Sequence, residues 1–87
     1  MARLVHFFLA LFVAAVALAD EQQIRRIIEP KLNGAKIEAV QPSPIPGLME
    51  VRFRTSQGIQ ILYADPKGEN IVQGDIYDSK TGRNLTD

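Results

Sequence analysis

The 87 residues contain no cysteine, and the sole histidine is His6, inside the apolar run that opens the chain. Those two absences narrow what the chain can fold into. Its first residues, MARLVHFFLALFVAAVALAD, combine a positive charge at Arg3, an apolar stretch from Leu4 to Ala19 broken by His6, and a small-x-small site at Ala17-Leu18-Ala19. These are the parts of a secretory signal peptide, so residues 1–19 are expected to be removed by cleavage after Ala19. The stretch falls short of the roughly 20 apolar residues that cross a bilayer, which argues against a membrane anchor. The mature chain, Asp20 to Asp87, is then expected in an oxidising compartment, where small domains usually reinforce a thin core with disulfides. It has no sulfur for that, and no imidazole for a structural zinc site. A chain of 68 residues buries only about 60% of the surface that its unfolded form exposes. It either folds alone, as some domains of this size do, or gains stability from a second subunit.

The mature segment changes its period once. Ile24, Ile27, Ile28 and Leu32 fall at i, i+3, i+4 and i+8, one apolar stripe of a helix that opens near Asp20-Glu21 and closes at Asn33-Gly34. Pro30 predicts a kink or an early end near Ile28, because its ring clashes with the preceding turn and it has no N–H to donate. Arg25 and Arg26 are expected on a solvated face. From Lys36 the period is two. Ile37 and Ala39 alternate with Glu38 and Val40, then Met49, Val51 and Phe53 with Glu50, Arg52 and Arg54, then Ile59, Ile61 and Tyr63 with Gln60 and Leu62. These are strands with one buried and one wet face. Ser56-Gln57-Gly58 and Asp65-Pro66-Lys67-Gly68 are short connections that predict an antiparallel meander. Pro46-Gly47 fits the two central positions of a type II turn. The fold class is α+β, an N-terminal helix packed on a small antiparallel sheet and preceded by the signal peptide.

NIVQGDIYD predicts a last strand whose alternation is weak, with Ile71, Val72, Ile76 and Tyr77 placing apolar groups on both faces. Gly74 within it marks either a bulge or a place where another backbone comes close. At a sheet edge, such a strand can pair with its copy about a two-fold axis.

The residue inventory removes most chemistry. The mature chain holds 9 Lys and Arg against 10 Asp and Glu, a formal charge of −1, with no basic stripe and no aromatic interleaving. Nucleic acid and anionic membrane surfaces are therefore not expected partners. No catalytic residue, metal ligand set or cofactor motif is found. Ser43, Ser56 and Ser79 lack a partner base, and the glycines punctuate strands and turns instead of forming a phosphate loop. Asp65 with Glu69, and Asp75 with Asp78, are carboxylate pairs of the kind common in turns. Asn84-Leu85-Thr86 matches the glycosylation pattern, which has many chance matches. The expected role is binding or assembly.

PSPIPGLMEVRF, IQILYADPKGENIVQGDIYD and TGRNLTD, in this order and spacing, closely resemble the N-terminal dimerisation domain of the periplasmic disulfide-bond isomerases of DsbC/DsbG type. The resemblance covers about Ile24 to Asp87. It implies a cystatin-like fold, a periplasmic location, and a homodimer formed through edge strands, with Ile71, Val72, Gln73, Gly74, Asp75, Ile76 and Tyr77 as the pairing strand. It also implies contact with unfolded proteins in the cleft between paired copies. In that family a linker helix and a thioredoxin-fold domain with a Cys-x-x-Cys site follow. Asn84, Thr86 and Asp87 are residue types that cap such a helix, but the sequence read here ends there. The reading is thus a dimerisation module without catalysis of its own. The alternatives are a regulatory partner that forms mixed dimers with a full-length isomerase, or a fragment of one.

Overall fold

The computed structural model describes residues 20–86. The expected signal peptide at 1–19 and the terminal Asp87 lie outside the described residues. Helix α1 occupies 20–28 of these. It turns Ile24 and Ile28, both fully buried, onto the sheet. At Glu29–Lys31 it tightens into a 3-10 turn that carries Pro30 in its first positions. The ring fits there because a first turn needs no N–H from it. The expected early end of the α-helix is therefore observed, while the 3-10 turn carries the apolar stripe on to Leu32, which packs against the core. Asn33 and Gly34, at φ 54° and 88°, then reverse the chain.

Strands β1 (Lys36–Pro42), β2 (Met49–Thr55), β3 (Gly58–Ala64) and β4 (Ile71–Val72) form an antiparallel sheet in sequential order. The β1–β2 connection contains the expected turn, with Leu48 N–H bonded to Ile45 O at 3.1 Å around Pro46-Gly47 and Gly47 at φ 88°. The β3–β4 connection closes through Gly68 N–H to Asp65 O at 2.9 Å. The core beneath α1 is Ile24, Ile28, Ile37, Val51, Leu62 and Ala64, with Val40, Met49 and Phe53 packed around it.

Four details depart from the sequence reading. In β1, Ile37 pairs with Phe53 and Ala39 with Arg52, so Glu38 is an extra residue. This bulge puts Val40 opposite the buried Val51 and moves it to the core side. Arg25 is not a solvated arginine. Its guanidinium donates to Ile37 O at 2.8 Å and Glu38 O at 3.5 Å and pairs with Glu21 at 3.2 Å, while one turn on Glu29 accepts the Ile37 N–H at 2.8 Å. The helix thereby satisfies backbone groups at the bulge. In β3 the faces are reversed: Leu62 pairs with Val51 and Ala64 with Met49, so these two lie under α1. Ile59, Ile61 and Tyr63 stand on the outer face, since directly opposed residues share a face. Tyr63 is buried there, outside the core cluster. Finally, the last strand is two residues long, not the seven from Ile71 to Tyr77.

Candidate self-association edge

β4 is the end of the sheet, and it meets β3 only at Tyr63–Val72 and Ala64–Ile71. The stretch of β3 from Gly58 to Leu62 consequently has β2 on one side and, among the described residues, no strand partner on the other. Large apolar side chains remain uncovered here: Ile59 on β3, Ile71 and Val72 on β4, and Tyr77 beyond it, with exposures of 40% to 60%. Val72 stands on the outer face with Tyr63, and Ile71 on the helix side. Unpaired backbone and exposed side chains thus coincide along one border of the sheet.

The seven residues expected to pair do not form one straight ribbon. Ile71 and Val72 are in the sheet. Gln73 turns toward the helix side, where it lines an open groove of about 600 Å³ with Leu32, Gly34, Phe53 and Thr55. Gly74 adopts φ +144°, and a β-carbon built on it would meet nothing within 4 Å. Among the described residues Gly74 has no strand partner, so there is no pairing at that point for a bulge to interrupt. Beyond it the chain turns to a second, smaller ribbon. Tyr77 bridges Asn84, Asp78 N–H bonds Arg83 O at 2.9 Å, and Leu85 N–H bonds Ile76 O at 2.7 Å. Asp75 is exposed and accepts from Asn84 Nδ2 at 3.2 Å. The ribbon returns to the sheet through Thr86, whose hydroxyl lies 2.6 Å from the Tyr63 hydroxyl.

Two of the carboxylates noted in the sequence hold turns. Asp65 accepts the N–H groups of Lys67 and Asn70, and Asp78 those of Lys80 and Thr81. Among the described residues no helix is long and apolar enough to cross a membrane. Two contributors to the border escaped the sequence reading. Ile59 was assigned to the buried face because β3 is apolar at nearly every position. Thr86 was read as a helix cap. The alternation of β2, which is clean, held the signal for the first; nothing in the sequence marked the second.

An α-helix laid over a four-stranded meander, ending in a turn-Gly-Asp-Ile-Tyr-Asp ribbon, is the arrangement on which the comparison with known families bears. Residues 15–87 match the family model described as the N-terminal domain of disulfide bond isomerase protein. The chain belongs to this family. The match takes in all four strands and the ribbon to Asn84 and Thr86, together with α1. No curated protein matches the sequence. The family is that of the N-terminal domain of disulfide bond isomerase, and the 87 residues hold no cysteine.

Proposed function

We propose that this chain is a non-catalytic periplasmic dimerisation module that pairs with a second copy of itself through Ile71–Tyr77. The observation that carries the reading is the border just described: a two-residue edge strand with both apolar side chains about half exposed, beside a glycine whose surroundings are empty. An isologous contact there buries each exposed group twice and gives the edge backbone the hydrogen-bond partners that a sheet end lacks. The family assignment and the export signal expected at 1–19 favour the periplasm. Ile59 and Ile61, on the outer face, extend the surface to which apolar segments of unfolded proteins can bind.

Light scattering on the purified protein at tens of micromolar tests the pairing. Gly74→Arg places bulk where the partner backbone approaches, but any side chain at φ +144° also strains the single chain, by about 1–3 kcal/mol. Gly74→Ala carries that strain without the bulk. The arginine variant is expected to be a folded monomer, and the alanine variant to retain dimer. A monomeric wild type, or a Gly74→Arg dimer as tight as wild type, refutes the reading. The same edge supports a second reading, mixed dimers with a full-length disulfide isomerase, since a strand that pairs with its copy can pair with a relative. Co-refolding the two and finding no heterodimer dismisses it.

A further inference from the structure

Thr86 is where three segments meet. Its hydroxyl accepts the Ile76 N–H at 2.9 Å and bonds the Tyr63 hydroxyl at 2.6 Å, and its own N–H donates to Asn84 Oδ1 at 2.8 Å. A hydroxyl has one proton and two lone pairs, so both of its contacts can be made at once, whichever of the two oxygens donates between Thr86 and Tyr63. Among the described residues no other hydrogen bond ties residues 75–86 to the four-stranded sheet. Tyr63 is buried and belongs to β3, whereas Ile76 is the half-buried neighbour of the exposed Asp75 and Tyr77.

We propose that Thr86 is a positioning residue for the pairing edge: its hydroxyl fastens Ile76 to β3 through Tyr63 and so sets the course of Gln73–Tyr77. This rests on the pairing reading above. The segment around Gly74 has two anchors. Upstream is β4, with two register partners; downstream is Ile76, held by Thr86 and by Leu85. With both in place the segment has already lost the freedom that a loose loop would have to give up on association. Without the hydroxyl, the Ile76 N–H and the buried Tyr63 hydroxyl each lose a partner, and residues 73–76 lose their downstream tie to β3.

The test uses the 87-residue chain, purified after expression, with two readouts: the dimer dissociation constant from sedimentation equilibrium, and the hydrogen-exchange rate of the Ile76 amide. Thr86→Val keeps the shape and removes the hydroxyl. It is expected to weaken the dimer about tenfold and to speed Ile76 exchange, while Thr86→Ser stays near wild type in both. Tyr63→Phe, which keeps the ring and the Thr86–Ile76 bond, is expected to weaken the dimer severalfold and provides the measurement if Thr86→Val does not fold. A dimer of unchanged affinity in Thr86→Val, or in Tyr63→Phe where the valine variant is unfolded, overturns the proposal and leaves the pairing reading standing. A wild type that is monomeric overturns both, and is recognised before any variant is made.

Discussion

Val72→Asp separates the edge from the rest of the protein. Val72 is 50% exposed in the single chain, and fully burying a valine is worth about 1.5–3 kcal/mol, so covering the exposed half contributes about 1 kcal/mol. Two-fold pairing counts it in both copies, which gives about 2 kcal/mol, or roughly thirtyfold in the dissociation constant. Aspartate removes this and sets like charges near the axis, a further penalty that salt weakens because it screens exposed charges beyond about 10 Å at 0.1 M. The single chain loses little: the backbone pairing of Val72 with Tyr63 does not depend on the side chain, and the remaining cost is strand propensity, within about 1 kcal/mol. Val72→Thr keeps the β-branch and most of the shape, so it isolates the apolar contribution. Sedimentation equilibrium at low and high salt, with circular dichroism to confirm the fold, is the measurement. A folded Val72→Asp variant whose dissociation constant moves less than about threefold would show that Val72 remains exposed in the assembly, and the pairing border would have to lie elsewhere.

Stability measurements address the fold beneath that edge. Leu62 is 1% exposed and Ile59 40%, so under urea denaturation Leu62→Ala should cost about 2–5 kcal/mol and Ile59→Ala less than about 1 kcal/mol; the opposite ranking would mean that the faces of β3 are assigned the wrong way round. Glu29→Ala leaves the Ile37 N–H without the acceptor it has at 2.8 Å and should cost about 1–3 kcal/mol, whereas Glu29→Gln, which keeps an acceptor, should recover most of it; equal losses in the two would show that the charge and not the hydrogen bond is what matters.

The legible parts of this fold are those where one residue type has one physical solution. Pro30 could only end the regular helix or sit in its first turn, and Pro46-Gly47 could only be a turn. The α1 stripe needed nothing beyond its spacing. Legibility failed where a decision depends on a neighbour. β3 reads Ile-Gln-Ile-Leu-Tyr-Ala from Ile59, apolar on both faces, so its orientation is set by the register with β2. The bulge at Glu38 depends on Arg25 and Glu29 reaching it from the helix, and a helix face rich in charge looks solvated until its partner is placed. At the candidate edge the sequence marked Gly74 but not the course of the chain around it, because the departure from the sheet after Val72 goes with the ribbon between 76 and 86 and with the hydroxyl pair Tyr63–Thr86.

The two borders of the sheet are built differently, and the difference bears on which of them suits the proposed pairing. β1 is defended in the ways that keep edge strands solitary. Lys36 begins it, Pro42 ends it, and the bulge at Glu38 distorts it between them. The Ile37 N–H is already taken by Glu29 of the 3-10 turn and the carbonyls of Ile37 and Glu38 by Arg25 of α1, and Glu38 is paired with Arg54 at 2.6 Å across the strand. A partner arriving there would find few free groups and a kinked backbone. The strands of the opposite border carry no lysine, proline or bulge, although β4 is only two residues long. β3 has the composition of an interior strand, apolar on both faces, yet only two of its seven residues have a neighbour beyond it. A sequence under no pressure to associate there would be expected to place a lysine, a proline or a bulge on the outer flank of β3 or β4; instead it has Ile59, Ile61, Ile71 and Val72. The asymmetry favours the β3–β4 border for the proposed pairing, since an antiparallel copy laid along that flank would extend the sheet without disturbing the side that the helix has closed.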